Sequence, residues 1–160
     1  MPTLRLTLAN ADATATLAGR IAPLLKAGDT LLLEGDIGAG KTTFARALIR
    51  ARLGNPAEDV PSPTFTLVQT YDAADATIWH CDLYRLTHEQ EVLELGLAEA
   101  FRDAICLIEW PDRLGQDTPV DALTCRFAAA PDHHTLDLTP GPDDDARWQP
   151  ILAAIARTGT

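Results

Sequence analysis

The chain is short of lysine and cysteine and holds no long apolar run, and each shortage excludes something. Only two lysines occur, Lys26 and Lys41, and 13 basic residues face 23 acidic ones for a formal net charge of -10. A surface of that sign repels bare nucleic acid, because gripping a phosphate backbone needs clustered Lys and Arg. No apolar stretch nears the roughly 18 residues of a membrane span. The opening Met1-Pro2-Thr3-Leu4-Arg5 lacks the basic, apolar and small-residue succession of a secretion signal. A cytoplasmic protein with no membrane contact is therefore expected. Cys81, Cys106 and Cys125 are odd in number and show no C-x-x-C spacing. They read as buried free thiols in a reducing compartment rather than as disulfides, zinc ligands or nucleophiles. No internal repeat or low-complexity linker divides the sequence.

What is present is globular material. The chain has 160 residues, of which 46% are hydrophobic and 22% charged. One domain spanning 1–160 is expected, burying about 70% of the surface its unfolded chain exposes. Leu4, Leu6 and Leu8 alternate with polar neighbours as a half-buried strand. Asn10 or Asp12 caps a helix carrying Leu17, Ile21, Leu24 and Leu25 on one face and ending near Lys26-Ala27-Gly28, although Pro23 disturbs its last turn. Thr30 to Glu34 and Ala104 to Glu109 are short apolar runs, the form of strands buried on both faces. Between them, Lys41 to about Leu53 reads as a helix, and Thr64 to Tyr71 and Thr77 to Asp82 as strands. Thr87-His88-Glu89-Gln90 fits a helix capping box. Leu123, Cys125 and Phe127, then Leu136 and Leu138, alternate on either side of Pro131-Asp132-His133 as a hairpin. Asp143 to Asp145 suit a helix N-terminus, and Trp148, Ile151, Leu152 and Ile155 form its apolar stripe. The pattern is an α/β domain with a mixed sheet.

Gly35-Asp36-Ile37-Gly38-Ala39-Gly40-Lys41-Thr42 matches G-x-x-x-x-G-K-[ST], between a buried strand and a helix, the setting of a P-loop. Its glycines let backbone N–H groups close on a phosphate chain, and the following helix adds its positive end. Lys41 reaches the β- and γ-phosphates, Thr42 offers a hydroxyl to magnesium, and Thr43 stands near the α-phosphate. The metal needs a carboxylate from the end of a neighbouring strand. Glu109 ends the more apolar run and is assigned to magnesium. Asp82 is left to orient water or sense the γ-phosphate. Ser62-Pro63-Thr64-Phe65 offers a hydroxyl in a loop that such a phosphate can order. Arg46 and Arg50 share a helix face and read as surface ion pairs, and Arg85 as a group that reaches phosphate or a partner. His88, His133 and His134 are given no chemical role, whereas His80 beside Asp82 is less easily dismissed.

These residues together resemble the TsaE (YjeE) family. The resemblance rests on Gly35 to Thr43, Ser62-Pro63-Thr64-Phe65, His80-x-Asp82-x-Tyr84-Arg85-Leu86, Glu94-Leu95-Gly96-Leu97 and Glu109-Trp110-Pro111, in that order. It covers about Leu31 to Pro111 and becomes general beyond. It implies a P-loop NTPase-like domain with a mixed central sheet flanked by helices, and ATP and Mg2+ as ligands. Thr42 and Glu109 would be the metal's protein ligands, Thr64 the switch threonine, Asp82 the essential acidic residue and Trp110 a neighbour of the nucleotide. It further implies an ATPase that acts with the TsaB and TsaD proteins in threonylcarbamoyl modification of the adenosine beside the tRNA anticodon. Hydrolysis would reset the complex, and tRNA would be met only through it. Adenine contacts are sought at Asn10 to Thr14 and at the Pro131 hairpin.

Two other functions fit parts of the pattern. Glu34 to Thr43 also looks like the loop of a nucleoside or sugar kinase. Such enzymes need an arginine-rich lid, and after Glu109 only Arg113, Arg126, Arg147 and Arg157 occur, well separated. A nucleotide-gated binding module without turnover would carry the same residues as the ATPase.

Overall fold

The computed structural model describes residues 3–36, 39–63, 67–86, 95–142 and 145–158. Ile37, Gly38, Thr64, Phe65, the capping box at Thr87 to Gln90, Glu94, Asp143 and Asp144 lie outside the described residues. The strands are β1 (Leu4–Leu8), β2 (Thr30–Glu34), β3 (Val68–Asp72), β4 (Thr77–Asp82), β5 (Ile105–Glu109), β6 (Leu123–Ala129) and β7 (His134–Pro140). They form one seven-stranded sheet in the order β1-β7-β6-β2-β5-β4-β3. β6, β2, β5 and β4 pair in parallel, and the antiparallel pairs are at the two sides.

Helices α1 (Ala11–Ile21), α2 (Lys41–Leu53) and α4 (Asp145–Thr158) pack on one face of this sheet, where Leu17, Ile21, Phe44, Leu48 and Trp148 meet Leu31, Leu33 and Phe127. Helix α3 (Leu97–Asp103) and the 3-10 stretch Pro111–Asp117 cover Leu32, Cys81, Cys106 and Ile108 on the other. The fold is thus a mixed α/β sheet flanked by helices. Covering on both faces is why β2 and β5 show no polar alternation. β6 and β7 do alternate, and their outward side chains, Ala128 apart, are polar. Across the outward face Arg5, Asp137, Arg126 and Glu34 stand directly opposite one another on four strands. Arg5 is 2.7 Å from Asp137, and Arg126 is 2.9 Å from Glu34.

Asn10 caps α1 as expected, accepting the Ala13 N–H at 2.9 Å. The helix stops at Ile21, earlier than its apolar stripe suggests, and continues as a 3-10 turn over Ala22–Leu24, because Pro23 has no N–H to give. β3 begins at Val68, and Leu67, expected within it, lies before it. Leu67 takes a left-handed conformation and gives its N–H to the Pro63 carbonyl at 2.8 Å. No described helix is long and apolar enough to cross a membrane.

Candidate functional site

The carboxyl ends of β2, β5 and β4 lie side by side, with Leu33 opposite Glu109 and Glu109 opposite Asp82. Ligands of open α/β sheets bind at such ends, where consecutive connections pass to opposite faces. Here α2 follows β2 on one face and α3 precedes β5 on the other. The chain leaves β2 through Gly35 at φ 136, where an added Cβ would lie 2.4 Å from the Phe127 carbonyl oxygen. Only glycine lets β6 approach the loop so closely. Gly40, at φ 107, precedes the first turn of α2, whose free N–H groups and positive dipole end face the loop.

Strand alternation aims the carboxylates. Ile78, His80 and Asp82 of β4 and Ile105, Leu107 and Glu109 of β5 point to the α2 side, while Cys81 and Cys106 point away. Thr42 Oγ1 donates to Glu109 Oε1 at 3.1 Å. Glu109 Oε2 is 2.7 Å from His80 Nε2, and both residues are buried. Asp82, also buried, accepts the Tyr84 N–H on Oδ1 at 3.1 Å.

Lys41 is buried, donates to the Gly35 carbonyl at 2.5 Å and sits 3.7 Å from the centre of the Trp110 ring. Burial pushes its ammonium below the usual lysine range, against the upward pull of Glu109, Asp82, Asp36 and Asp112. Trp110 holds a left-handed backbone, φ 58 and ψ 54, that swings its ring back from the end of β5. The exposed Tyr84 rests against that ring at 4.9 Å.

A cleft of about 240 Å³ opens between Lys41, Thr42, Thr43, Glu109, Trp110 and His134. A second hollow of about 230 Å³ shares His134 and runs between Asn10 and the Pro131–His133 turn. The structure therefore brings together Gly40, Lys41, Thr42, Thr43, Glu109 and Trp110, with Gly35, Asp36, Ala39 and Asp82 adjoining in the chain or the sheet.

His134, given no chemical role from the sequence, lines the cleft, because the β6–β7 hairpin folds it toward Gly40. Its only sequence signal was its place after a turn. Arg46 and Arg50, read from the sequence as surface ion pairs, instead tie down backbone. Their Nε groups donate to the carbonyls of Val60 at 3.1 Å and Glu58 at 2.9 Å, holding the stretch after α2.

The oxygens of Thr42 and Glu109, with Asp82 on the next strand, are hard donors of the kind that share Mg2+ with water and phosphate. No group of three or more His, Cys, Asp and Glu side chains forms a metal cage among the described residues.

Comparison with known proteins gives a consistent result. A family model described as threonylcarbamoyl adenosine biosynthesis protein TsaE matches residues 8–136. The tRNA threonylcarbamoyladenosine biosynthesis protein TsaE of Rickettsia conorii is 46% identical over 66% of this chain and 60% of its own length. The chain thus spans about 60% of the length of that relative. The Bacillus subtilis protein of the same description is 38% identical over 77% of this chain and 76% of its own. Among solved structures, the crystal structure of Bacillus subtilis YdiB aligns with a TM-score of 0.80 at 27% identity, covering 99% of this chain and 97% of that one.

Proposed function

This chain belongs to the TsaE family of tRNA threonylcarbamoyladenosine biosynthesis proteins, and from that premise we propose that it binds and hydrolyses ATP with Mg2+ to act on a TsaB–TsaD transferase complex. The observation that carries the reading is the convergence of Lys41, Thr42 and Glu109 on one cleft at the end of a buried strand.

In this reading the backbone from Gly35 to Thr43 cradles the phosphates. Lys41 exchanges the Gly35 carbonyl for the β- and γ-phosphate oxygens. Thr42 and Glu109 hold the metal, which when bound neutralises charge on those oxygens. Thr43 stands by the α-phosphate, and Trp110 flanks the nucleotide. Thr64 and Asp82 belong to the γ-phosphate end, Asp82 as the group that orients water. The hollow between Asn10 and the Pro131 turn accommodates the base, with His134 at the junction. Hydrolysis resets the partner complex, and the formal charge of -10 agrees with partners supplying the RNA contacts.

Calorimetry with Mg2+ and a non-hydrolysable ATP analogue tests the nucleotide half. Lys41→Ala should abolish tight binding, because the loop loses the one cation aimed at the phosphates, and unchanged affinity would sink the P-loop reading. Capture of TsaB and TsaD in ATP, ADP and no nucleotide, with turnover measured with and without them, tests the partner half. Capture and turnover indifferent to nucleotide and partners would sink that half.

A further inference from the structure

The roles above leave one buried polar contact unused. His80 and Glu109 are 0% and 2% exposed, and their side chains meet at 2.7 Å. His80 lies two positions before Asp82, the register partner of Glu109, a diagonal that a ring can span between neighbouring strands. Nε2 is the ring nitrogen that meets the carboxylate, and a proton there makes the contact a hydrogen bond to Oε2. Nδ1 is buried and has no partner among the described residues. With its proton on Nε2 the imidazole is a donor aimed at one oxygen.

That oxygen is Oε2, whereas Oε1 takes the Thr42 hydroxyl. A glutamate has three rotatable bonds, and with Oε2 free it can turn its carboxylate away from Thr42. One anchor on each oxygen removes that freedom. We propose that His80 is a positioning residue that fixes Glu109 through Oε2 and so keeps Oε1 beside Thr42 for the Mg2+ of a bound nucleotide. The proposal rests on the magnesium reading above. Groups that orient a metal's carboxylate and histidine ligands in this way commonly account for about tenfold or more in metal affinity.

The test is calorimetry with a non-hydrolysable ATP analogue, with Mg2+ and with EDTA, on wild type, His80→Met and His80→Gln. Met keeps an unbranched side chain without a donor, and Gln keeps an N–H. The gain in affinity that Mg2+ confers should fall about tenfold in His80→Met. Affinity in EDTA should not change, and His80→Gln should recover most of the gain. In a Glu109→Gln background, His80→Met should add no further loss. A merely structural histidine would lower stability and leave the Mg2+ gain untouched. An equal gain in wild type and folded His80→Met overturns the proposal alone. A wild type with no Mg2+ gain overturns the magnesium reading and the proposal with it. Should His80→Met fail to fold, NMR of 15N-histidine in the wild type decides. A proton on Nε2 whose signal moves with Mg2+ and ADP, but not with ADP and EDTA, supports the proposal, and a proton on Nδ1 overturns it.

Discussion

At the scale of single residues the molecule separates reactive from inert groups by which way a strand alternates. Glu109 and Cys106 share β5, three positions apart, yet face opposite sides of the sheet. Burial pushes the Cys106 thiol up to about 12 and holds Cys81 and Cys125 high as well. The unfolded chain ionises such thiols from about pH 8.5. A folded-state value above the unfolded one means stability is whole below that pH and lost as pH climbs toward the folded value. The urea midpoint should therefore fall between about pH 8.5 and 11, and fall less steeply in a variant with Ala at all three positions. Equal slopes would show that the thiols are not protected. Much of the site was legible at this scale. The Gly35 to Thr43 pattern marks the loop, and the end of a wholly apolar run marks Glu109, which lines the same cleft as Lys41 and Thr42. The contact of His80 with Glu109 was not legible, since it depends on β4 lying beside β5.

At the scale of elements, arginines hold the ends of helices to their surroundings. Arg52 in the last turn of α2 donates through Nη1 to the carbonyls of Ala22 and Leu25, at 2.6 Å each, and through Nη2 to Asp75 at 2.9 Å. Those carbonyls flank Pro23, where α1 has given way to a 3-10 turn. Arg52→Ala should cost about 2 kcal/mol by urea unfolding, because partly buried acceptors lose their donors. Arg52→Lys should recover little, since one ammonium cannot reproduce the planar fork. Nucleotide affinity should not change in either variant, and a large change would mean that this end of α2 communicates with its loop. The apolar runs of β2 and β5 and the stripe of α4 were readable from composition and period. Pro23 marked the last turn of α1 as disturbed without saying where the helix would end, and the left-handed Leu67 just before β3 left no trace in the apolar pattern.

For the whole molecule, charge limits what it does alone. Beyond the formal net of -10, Arg5, Arg52, Arg126 and Arg147 already face Asp137, Asp75, Glu34 and Asp29. An excess of acidic groups and arginines partly committed to them leave little clustered positive charge to release counterions from RNA. The isolated chain should bind tRNA weakly at physiological salt, with a shallow salt dependence in fluorescence anisotropy. Submicromolar binding that disappears in Arg46→Ala/Arg50→Ala would make it a direct RNA-binding subunit. Strand identities were legible at this scale, but their order was not, because nothing local tells β6 to lie parallel beside β2 and send its hairpin to the edge. The same arrangement distributes the three tryptophans unequally. Trp148 is sealed in the core with its indole N–H on the Asp121 carbonyl at 2.7 Å, Trp79 packs in the cluster under α3, and Trp110 lies beneath the Lys41 ammonium. A phosphate that draws Lys41 away removes a charge from one indole and leaves the other two untouched. The intrinsic emission of the protein should therefore divide in two, one part reporting unfolding and the other reporting occupancy, with Trp110→Phe abolishing only the second.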